Sequence, residues 1–192
     1  MKDIEDYFTK NIDAINRIDK NLIIQFVDLL LNAYNNKKTI FIFGNGGSAA
    51  TASHFCGDLI KGVSFGLKKR FKVICLNDNI PAVLAIANDL SYQDVFVEQL
   101  KNFLEEGDLV IGISGSGNSM NVVKAIEYAN SVGANTVALC GFDGGKIKNI
   151  AKLSVHAEIN DMEIVEDVHL TVLHCIKQIL ISLIKELNPE MR

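Results

Sequence analysis

The residues best suited to chemistry lie in one short stretch, Phe41 to Leu59. It is composed of an apolar run, a glycine-rich turn and a helical pattern. In the helical part, His54 and Asp58 are four residues apart, so they share one helical face. A histidine and a carboxylate at that spacing suit either a metal ion or a proton-transfer pair. The glycines of the turn expose backbone N–H groups at a helix N-terminus, which suits an anion or a polar sugar. They are Gly44, Gly46 and Gly47.

A second loop of the same kind, SGSGNS, follows a later apolar run. Its hydroxyls belong to Ser114, Ser116 and Ser119, and Gly115 and Gly117 free the backbone between them. A helical pattern begins directly afterwards. Hydroxyls and backbone N–H groups at the start of a helix can bind a phosphate without an arginine. The alternative is that both loops are ordinary tight turns. The presence of such a loop at two strand ends disfavours that alternative.

The last helical pattern, from about residue 163 to 187, carries several ionisable residues on an otherwise apolar segment. At about 100° per residue, Glu166 and His174 lie roughly 80° apart and two turns along, within reach of one cleft. Asp167 lies nearly in line with His174. We expect His174 to be functional, whereas His156 and His169 fit structural roles better.

Alternating apolar runs and helical patterns predict the fold class. Five short unbroken apolar runs are typical of parallel strands buried on both faces. They are Ile40 to Phe43, Val73 to Leu76, Leu109 to Ile113, Thr136 to Leu139 and Leu153 to Ala157. Helical patterns between them indicate a doubly wound α/β sandwich, whose ligands bind at the carboxyl ends of the strands.

Residues 1–37 form a helical arm ahead of the first strand. The second of its two helical patterns is the clearer, with apolar residues from Leu22 to Tyr34 at helical spacing. Because no strand precedes it, we expect this arm to lack a sheet of its own to cover. It is therefore predicted to pack on a neighbouring subunit.

Length and composition exclude several classes of protein. The 192 residues suit one domain, residues 1–192, with one core. A net charge of −4 argues against a general binder of nucleic acids or anionic membranes. Four cysteines without CxxC spacing indicate reduced core residues. The N-terminus is charged where a signal peptide needs an apolar segment, so we expect a soluble cytoplasmic protein.

Three kinds of site can be compared. Gly44, Gly46 and Ala49 fit a dinucleotide fingerprint, but the next acidic residue after a strand, Asp78, comes later than usual. Asp78 could equally bind a sugar hydroxyl or cap the next helix. A P-loop and a serine nucleophile elbow lack their defining residues. Proton transfer on a phosphorylated sugar needs a base, an acid and a phosphate anchor, and the chain has all three. A divalent metal, with zinc the best match, could lie between His54, Asp58, Glu166 and His174.

Four motifs together resemble a known family. They are GNGGSAATASHF, ISGSGNS, GFDGG and VEDVHLTVLH. In this order they resemble the sugar isomerase (SIS) domain, in its phosphoheptose isomerase branch, over nearly the whole chain. The resemblance implies a homotetramer whose subunit is a three-layer αβα sandwich with a five-stranded parallel, flavodoxin-like sheet. It also implies conversion of sedoheptulose 7-phosphate to D-glycero-D-manno-heptose 7-phosphate, for lipopolysaccharide or capsule.

The resemblance assigns roles to individual residues. Substrate binding falls on Asn45, Gly46, Gly47, Ser48, Asp78, Ser114, Gly115, Ser116, Ser119 and Glu166. Asp58 takes the position of the catalytic base, and His174 that of the opposing acid or base. The zinc positions fall on His54, Asp58, Glu166 and His174. Tetramer packing would bring the terminal helix of one subunit to the cleft of another.

The sequence departs from the family pattern at three positions. Asp58 replaces the usual glutamate, which draws the carboxylate back by roughly 1 to 1.5 Å and can cost on the order of 100-fold in rate. Glu166 replaces the usual glutamine, adding a negative charge. Near Gly62 an arginine is missing, and Lys61 is expected to substitute for it as a point charge. Alternatives are an isomerase for another phosphosugar, or a non-catalytic SIS tetramer that binds a partner such as the replication initiator.

Overall fold

Five parallel strands form the centre of the fold. The computed structural model describes residues 2–187. The strands are β1 (Thr39–Gly44), β2 (Lys72–Cys75), β3 (Leu109–Ser114), β4 (Asn135–Gly141) and β5 (Leu153–Ala157). They pair in the order β2-β1-β3-β4-β5, all in parallel. This is the flavodoxin-like order, and the predicted fold class is confirmed.

Helices cover both faces of the sheet and give three layers. They are α1 (Lys2–Arg17), α2 (Lys20–Asn35), α3 (Gly47–Gly57), α4 (Ile80–Asp89), α5 (Val97–Phe103), α6 (Met120–Val132), α7 (Gly145–Ile150) and α8 (Met162–Leu187). The first three and α8 pack on one face, and α4 to α7 pack on the other. A π-helical turn, Asp58–Val63, continues α3, and a short 3₁₀ turn, Tyr92–Asp94, precedes α5.

Side chains alternate in direction along each strand, so the core is divided between the two faces of the sheet. On β1, Ile40 and Ile42 join the core under α3 and α8, whereas Phe41 and Phe43 join the core under α6. The prediction that all five strands are buried on both faces holds for the central strands. It is wrong for β2, an edge strand whose Ile74 is 38% exposed.

The second helix of the arm belongs to the subunit core. In α2, Phe26 and Leu30 are fully buried, and the helix contacts β1, β3 and β5. The expectation that the arm has no sheet of its own to cover is therefore wrong for α2. The sequence could not reveal this, because the strands that α2 covers come after it in the chain.

The first helix of the arm packs mainly against α8. The hydroxyl of Tyr7 and the Nδ2 group of Asn11 both donate to Asp167 Oδ2, at 2.6 and 2.8 Å. The hydrogen bond to this carboxylate raises the pKa of Tyr7 to about 12. Asp167 is therefore a contact of the arm.

Among the described residues, α8 is the one helix long and apolar enough to cross a membrane. Its apolar side is occupied by the domain core, where Ile164, Val168 and Leu173 are fully buried. The same helix carries histidine and lysine side chains on its other sides. It therefore serves as a core helix of this domain.

His169 lies inside the core, as expected of a structural histidine. Its Nε2 lies 3.1 Å from the carbonyl oxygen of Cys140, and its Nδ1 has no hydrogen-bond partner among the described residues. Since a carbonyl can only accept, the neutral ring carries its proton on Nε2. Complete burial lowers the pKa of His169 to about 4.

This buried imidazole predicts a loss of stability in acid. The folded-state pKa lies below the unfolded value of about 6.5, so stability is full above that pH and falls as the pH drops toward 4. Between pH 7 and pH 5 the loss from His169 is about 2 kcal/mol. In urea unfolding of metal-free protein, His169→Gln should lose less stability over this interval than the parent. His156→Gln is the matched control, and equal losses in parent and His169→Gln would contradict the assignment.

Candidate active site

The two loops singled out in the sequence meet at the carboxyl ends of β1 and β3. At these two neighbouring strands, the chain connections that follow leave the sheet toward opposite faces. Their loops therefore diverge and form a crevice. A cavity of about 260 Å³ lies there. It is lined by Asn45, Gly46, Gly47, Ser48, Ile113, Ser114, Gly115, Ser116, Ser119, Met162 and Glu166. Every predicted substrate residue except Asp78 is in this lining.

The glycine turn forms one wall of the cavity. Gly46 has φ 54° and ψ −123°, a backbone conformation that L side chains rarely adopt, and it precedes the first residue of α3. A Cβ on Gly47 would overlap the carboxylate of Glu166. Glycine at this position therefore lets α8 bring Glu166 against the start of α3.

The serine loop forms the opposite wall. Ser114 is buried, and its hydroxyl donates to Ser119 Oγ at 3.1 Å. The hydroxyl of Ser116 accepts from the backbone N–H of Asn118 at 3.3 Å and is partly exposed. Since α6 begins at Met120, its N-terminus also points into this region.

The GFDGG turn supports the serine loop from behind. Gly117 has φ 68°, and a Cβ there would overlap the carbonyl of Gly144. The Ile147 N–H donates to Gly117 O at 3.0 Å, and the Gly145 N–H donates to Asp143 Oδ1 at 3.0 Å. These contacts fit the interpretation of this turn as architecture.

A polar bridge that the sequence did not reveal fixes the two loops to each other. The side-chain amides of Asn45 and Asn121 donate to each other, both at 2.9 Å. The Tyr92 hydroxyl donates to Asn45 Oδ1, also at 2.9 Å. Asn121 is almost fully buried, and a polar residue in the first turn of α6 was the available signal.

Asp78 lies apart from the cavity. Its Oδ1 accepts from the Ser53 hydroxyl at 3.0 Å, so it binds to the side of α3. The alternative interpretation of Asp78 as a helix cap is wrong, because Asn79 caps α4 by accepting from the Ala82 N–H. A substrate contact by Asp78 stays a prediction.

His54, Asp58 and His174 converge further along the same two helices, and we call them the His–Asp cluster. The two histidine Nε2 atoms are 2.9 Å apart. Asp58 Oδ2 lies 3.6 Å from Nε2 of His54 and 3.9 Å from Nε2 of His174. Spacing within α3 predicted the first pair, and the structure brings His174 to it across the α3–α8 contact.

The His–Asp cluster has the properties of a metal site. One potential ligand atom from each residue lies within 4.8 Å of the others. Asp58 Oδ2 is buried without a hydrogen-bond partner in the described part of the chain, although it faces both rings. Two imidazoles and a carboxylate fit Zn²⁺, with a position left for substrate. Glu166, the fourth ligand implied by the resemblance, is not part of this three-residue group.

The other oxygen of the Asp58 carboxylate is paired with a lysine. Lys177 Nζ lies 2.8 Å from Asp58 Oδ1. Lys61, which was expected to take the place of the missing arginine, points elsewhere: its Nζ lies over the Phe65 ring, 5.7 Å from its centre. The lysine that binds Asp58 comes from α8, more than a hundred residues later.

Among the residues that the structure describes, Glu166 is the one ionisable side chain that lines the cavity. Partial burial raises the pKa of its carboxyl, and the neighbouring carboxylates Glu163 and Asp167 raise it further. The Glu166 carboxyl therefore holds its proton to a higher pH than a free glutamate does, because its pKa is raised. This environment suits a group that exchanges hydrogen bonds with sugar hydroxyls.

Comparisons with known proteins agree with this geometry. The SIS domain family profile matches residues 5–141. A probable phosphoheptose isomerase of Thermoplasma volcanium is 37% identical over 182 residues, covering 95% of this chain and 92% of that protein. The phosphoheptose isomerase of Helicobacter pylori strain P12 is 37% identical over 155 residues, 81% of this chain and 80% of that protein.

A solved structure shows the same architecture. The phosphoheptose isomerase of Neisseria gonorrhoeae superimposes with a TM-score of 0.87 at 28% identity, covering 94% of this chain and 98% of that chain. The loops of the cavity lie within the span of the family profile, whereas α8 lies beyond it. The full-length relatives extend the match over α8. The chain therefore belongs to the SIS domain family, in its phosphoheptose isomerase branch.

Proposed function

We propose that this chain is a phosphoheptose isomerase that converts sedoheptulose 7-phosphate to D-glycero-D-manno-heptose 7-phosphate by metal-assisted proton transfer. One observation carries the proposal: the cavity and the His–Asp cluster lie along the same pair of helices. Gly47 faces Glu166, and seven residues further along α3, His54 faces His174. At 1.5 Å per residue the two centres are about 10 Å apart, which an extended seven-carbon chain can span.

The cavity would hold the phosphate end of the substrate. Hydroxyls of Ser114, Ser116 and Ser119, together with backbone N–H groups at the starts of α3 and α6, provide donors on two sides. No lysine or arginine belongs to the described lining, so these donors and the helix dipoles supply the attraction. Ser48 and Glu166 would contact the sugar chain beyond the phosphate.

The His–Asp cluster would carry out the proton transfers. Asp58 Oδ2 would remove the proton from carbon 1 of the ketose while His174 would protonate the oxygen on carbon 2 through Nδ1, the ring nitrogen that zinc binding at Nε2 leaves free, giving an enediol. His174 then accepts the proton from the oxygen on carbon 1, and Asp58 returns its proton to carbon 2. The sum is a ketose converted to an aldose with no net change in protons, as aldose–ketose isomerisation requires.

Zinc is the metal we propose for the His–Asp cluster. His54, Asp58 and His174 would hold it, and Glu166 as a fourth ligand stays a prediction. When bound, the ion supplies Lewis-acid polarisation of the substrate oxygens. The histidine Nε2 atoms must both be free of protons to bind it, so their 2.9 Å contact is one that metal binding would replace.

We also propose a cytoplasmic homotetramer that supplies heptose for lipopolysaccharide or capsule. The support is an apolar surface on the arm formed by residues 1–37. On α1, the side chains of Ile4, Phe8 and Ile12 recur every four residues and are each about 60% exposed. Such a stripe on a helix is typical of a subunit interface.

The first prediction of the proposed function concerns turnover. With sedoheptulose 7-phosphate in heavy water, NMR should show metal-dependent proton exchange at carbon 1 and the appearance of aldose. His174→Gln should lower the rate by on the order of 100- to 10,000-fold, because an acid–base group is lost. His156→Gln is the matched control, since His156 lies outside both the cavity and the cluster.

The same experiment separates the alternatives. If proton exchange at carbon 1 continues in the presence of a chelator, Asp58 acts as the base without a metal ion. Absence of exchange with metal bound, followed by exchange with a hexose or pentose phosphate, would support the isomerase of another phosphosugar. If the protein is inactive on all of these sugar phosphates, the non-catalytic SIS tetramer that binds a partner is favoured, although the named relatives are enzymes.

The second prediction concerns the phosphate. Ser116→Ala should raise KM roughly ten- to hundredfold with a small change in kcat, because a hydrogen bond to a charged group is lost in both ground and transition states. Ser131→Ala is the control, since the Ser131 hydroxyl donates to the backbone of its own helix. A fall in kcat at constant KM would place Ser116 in the chemical step instead.

The third prediction concerns assembly. Phe8→Asp should shift the protein from tetramer toward smaller species in analytical ultracentrifugation, because a charge replaces an apolar contact residue. Thr9→Asp is the control at the adjacent, more polar position of α1. An unchanged sedimentation coefficient for Phe8→Asp would remove the α1 stripe from the interface.

A further inference from the structure

Lys177 is a half-buried cation that the proposed chemistry does not yet use. It lies one turn beyond His174 on α8, and its side chain is 25% exposed. Its Nζ is 2.8 Å from Asp58 Oδ1, whereas the described contacts of Asp58 Oδ2 are with the histidines. The carboxylate thus has one oxygen bound to a lysine and one oxygen aimed at the metal-binding rings.

A glycine provides the space through which Lys177 reaches Asp58. Gly62 lies four residues after Asp58, in the π-helical turn. A Cβ on Gly62 would lie 3.0 Å from Lys177 Cε and 3.5 Å from Asp58 Oδ1. A larger side chain would therefore compete with the lysine stem for the same volume.

We propose that Lys177 is a positioning residue that holds Asp58 Oδ1, so that Oδ2 alone serves the His–Asp cluster. This inference rests on the proposed function of the site. The terminal torsion of aspartate is soft, so without a partner the carboxylate can rotate and present either oxygen. A fixed hydrogen bond on Oδ1 removes that freedom. A ligating carboxylate held in this way binds a metal more tightly than a free one.

The charge of Lys177 also offsets that of the Asp58 carboxylate. Asp58 and Glu166 lie on the same pair of helices, and Asp58 is largely buried. Burying a carboxylate without a cation or a metal is costly, and removing one partner of a buried pair leaves the other unpaired. Lys177 thus keeps the Asp58 side chain in place in the metal-free protein.

The test is the zinc affinity of metal-stripped protein, measured by competition with a chromophoric chelator. Lys177→Met should weaken binding by about 10- to 100-fold, the usual effect of losing an outer-shell partner. Lys177→Arg should recover most of the affinity, because it keeps a cation that can donate to Oδ1. Lys61→Met is the matched control: it removes the same charge from a lysine that lies over Phe65.

A double-mutant cycle with Gly62 tests the geometry. Gly62→Val should weaken zinc binding in the parent, because it displaces the lysine stem. It should have little further effect in the Lys177→Met background, where no stem remains to be displaced. In turnover, Lys177→Met should lower kcat more than it changes KM, since it leaves the phosphate cavity untouched. Thermal unfolding of the metal-free variants shows whether each is folded.

The outcomes are separable. If the parent binds no zinc, the metal part of the proposed function is overturned, and this inference with it. If the parent binds zinc and a folded Lys177→Met binds it as tightly, the positioning role alone is overturned. If Lys177→Met fails to fold, Lys177→Arg and Gly62→Val decide: full affinity in Gly62→Val, or no affinity in a folded Lys177→Arg, overturns the inference.

Discussion

The close approach of α3 and α8 is the constraint on which the site depends. Gly47 makes it possible, because any Cβ at this position would overlap the Glu166 carboxylate. The two helices then run side by side in the same direction, and two turns later His54 and His174 meet at 2.9 Å. The proposed phosphate-binding cavity and the proposed proton-transfer cluster therefore both depend on one packing contact, made over the shared core of the sheet.

The Asp58 carboxylate depends on its surroundings for both of its proposed roles, as base and as metal ligand. An aspartate reaches less far than a glutamate, so its backbone and its partners must place it more closely. The helix widens into a π-helical turn at Asp58, a local distortion often associated with functional sites. Lys177 then binds one carboxylate oxygen, which leaves the second directed at the two imidazoles. The short aspartate side chain and its lysine partner thus together set the direction of the second carboxylate oxygen.

Local patterns predicted the parts of the site that are close in sequence. The apolar runs placed all five strands, and the four-residue spacing of His54 and Asp58 placed them on one face of α3. Contacts between distant segments were missed. In the sequence, Lys177 looks like an ordinary helix lysine, because its contact with Asp58 forms only when α8 packs beside the π-helical turn. The Asn45–Asn121 bridge likewise forms only when both loops are folded.

Consecutive carboxylates on α8 connect the N-terminal arm with the site. Glu166 lines the cavity, while Asp167, about 100° further around the helix, accepts from Tyr7 and Asn11 of α1. A rotation of α8 that moved Glu166 out of the cavity would therefore break both hydrogen bonds to the arm. At 100° per residue, the exposed apolar stripe lies about 80° around α1 from Tyr7 and Asn11, so whatever covers that stripe lies next to the contact between α1 and α8. The arm thus contributes to the orientation of Glu166 and His174 although it lies outside the cavity and the His–Asp cluster.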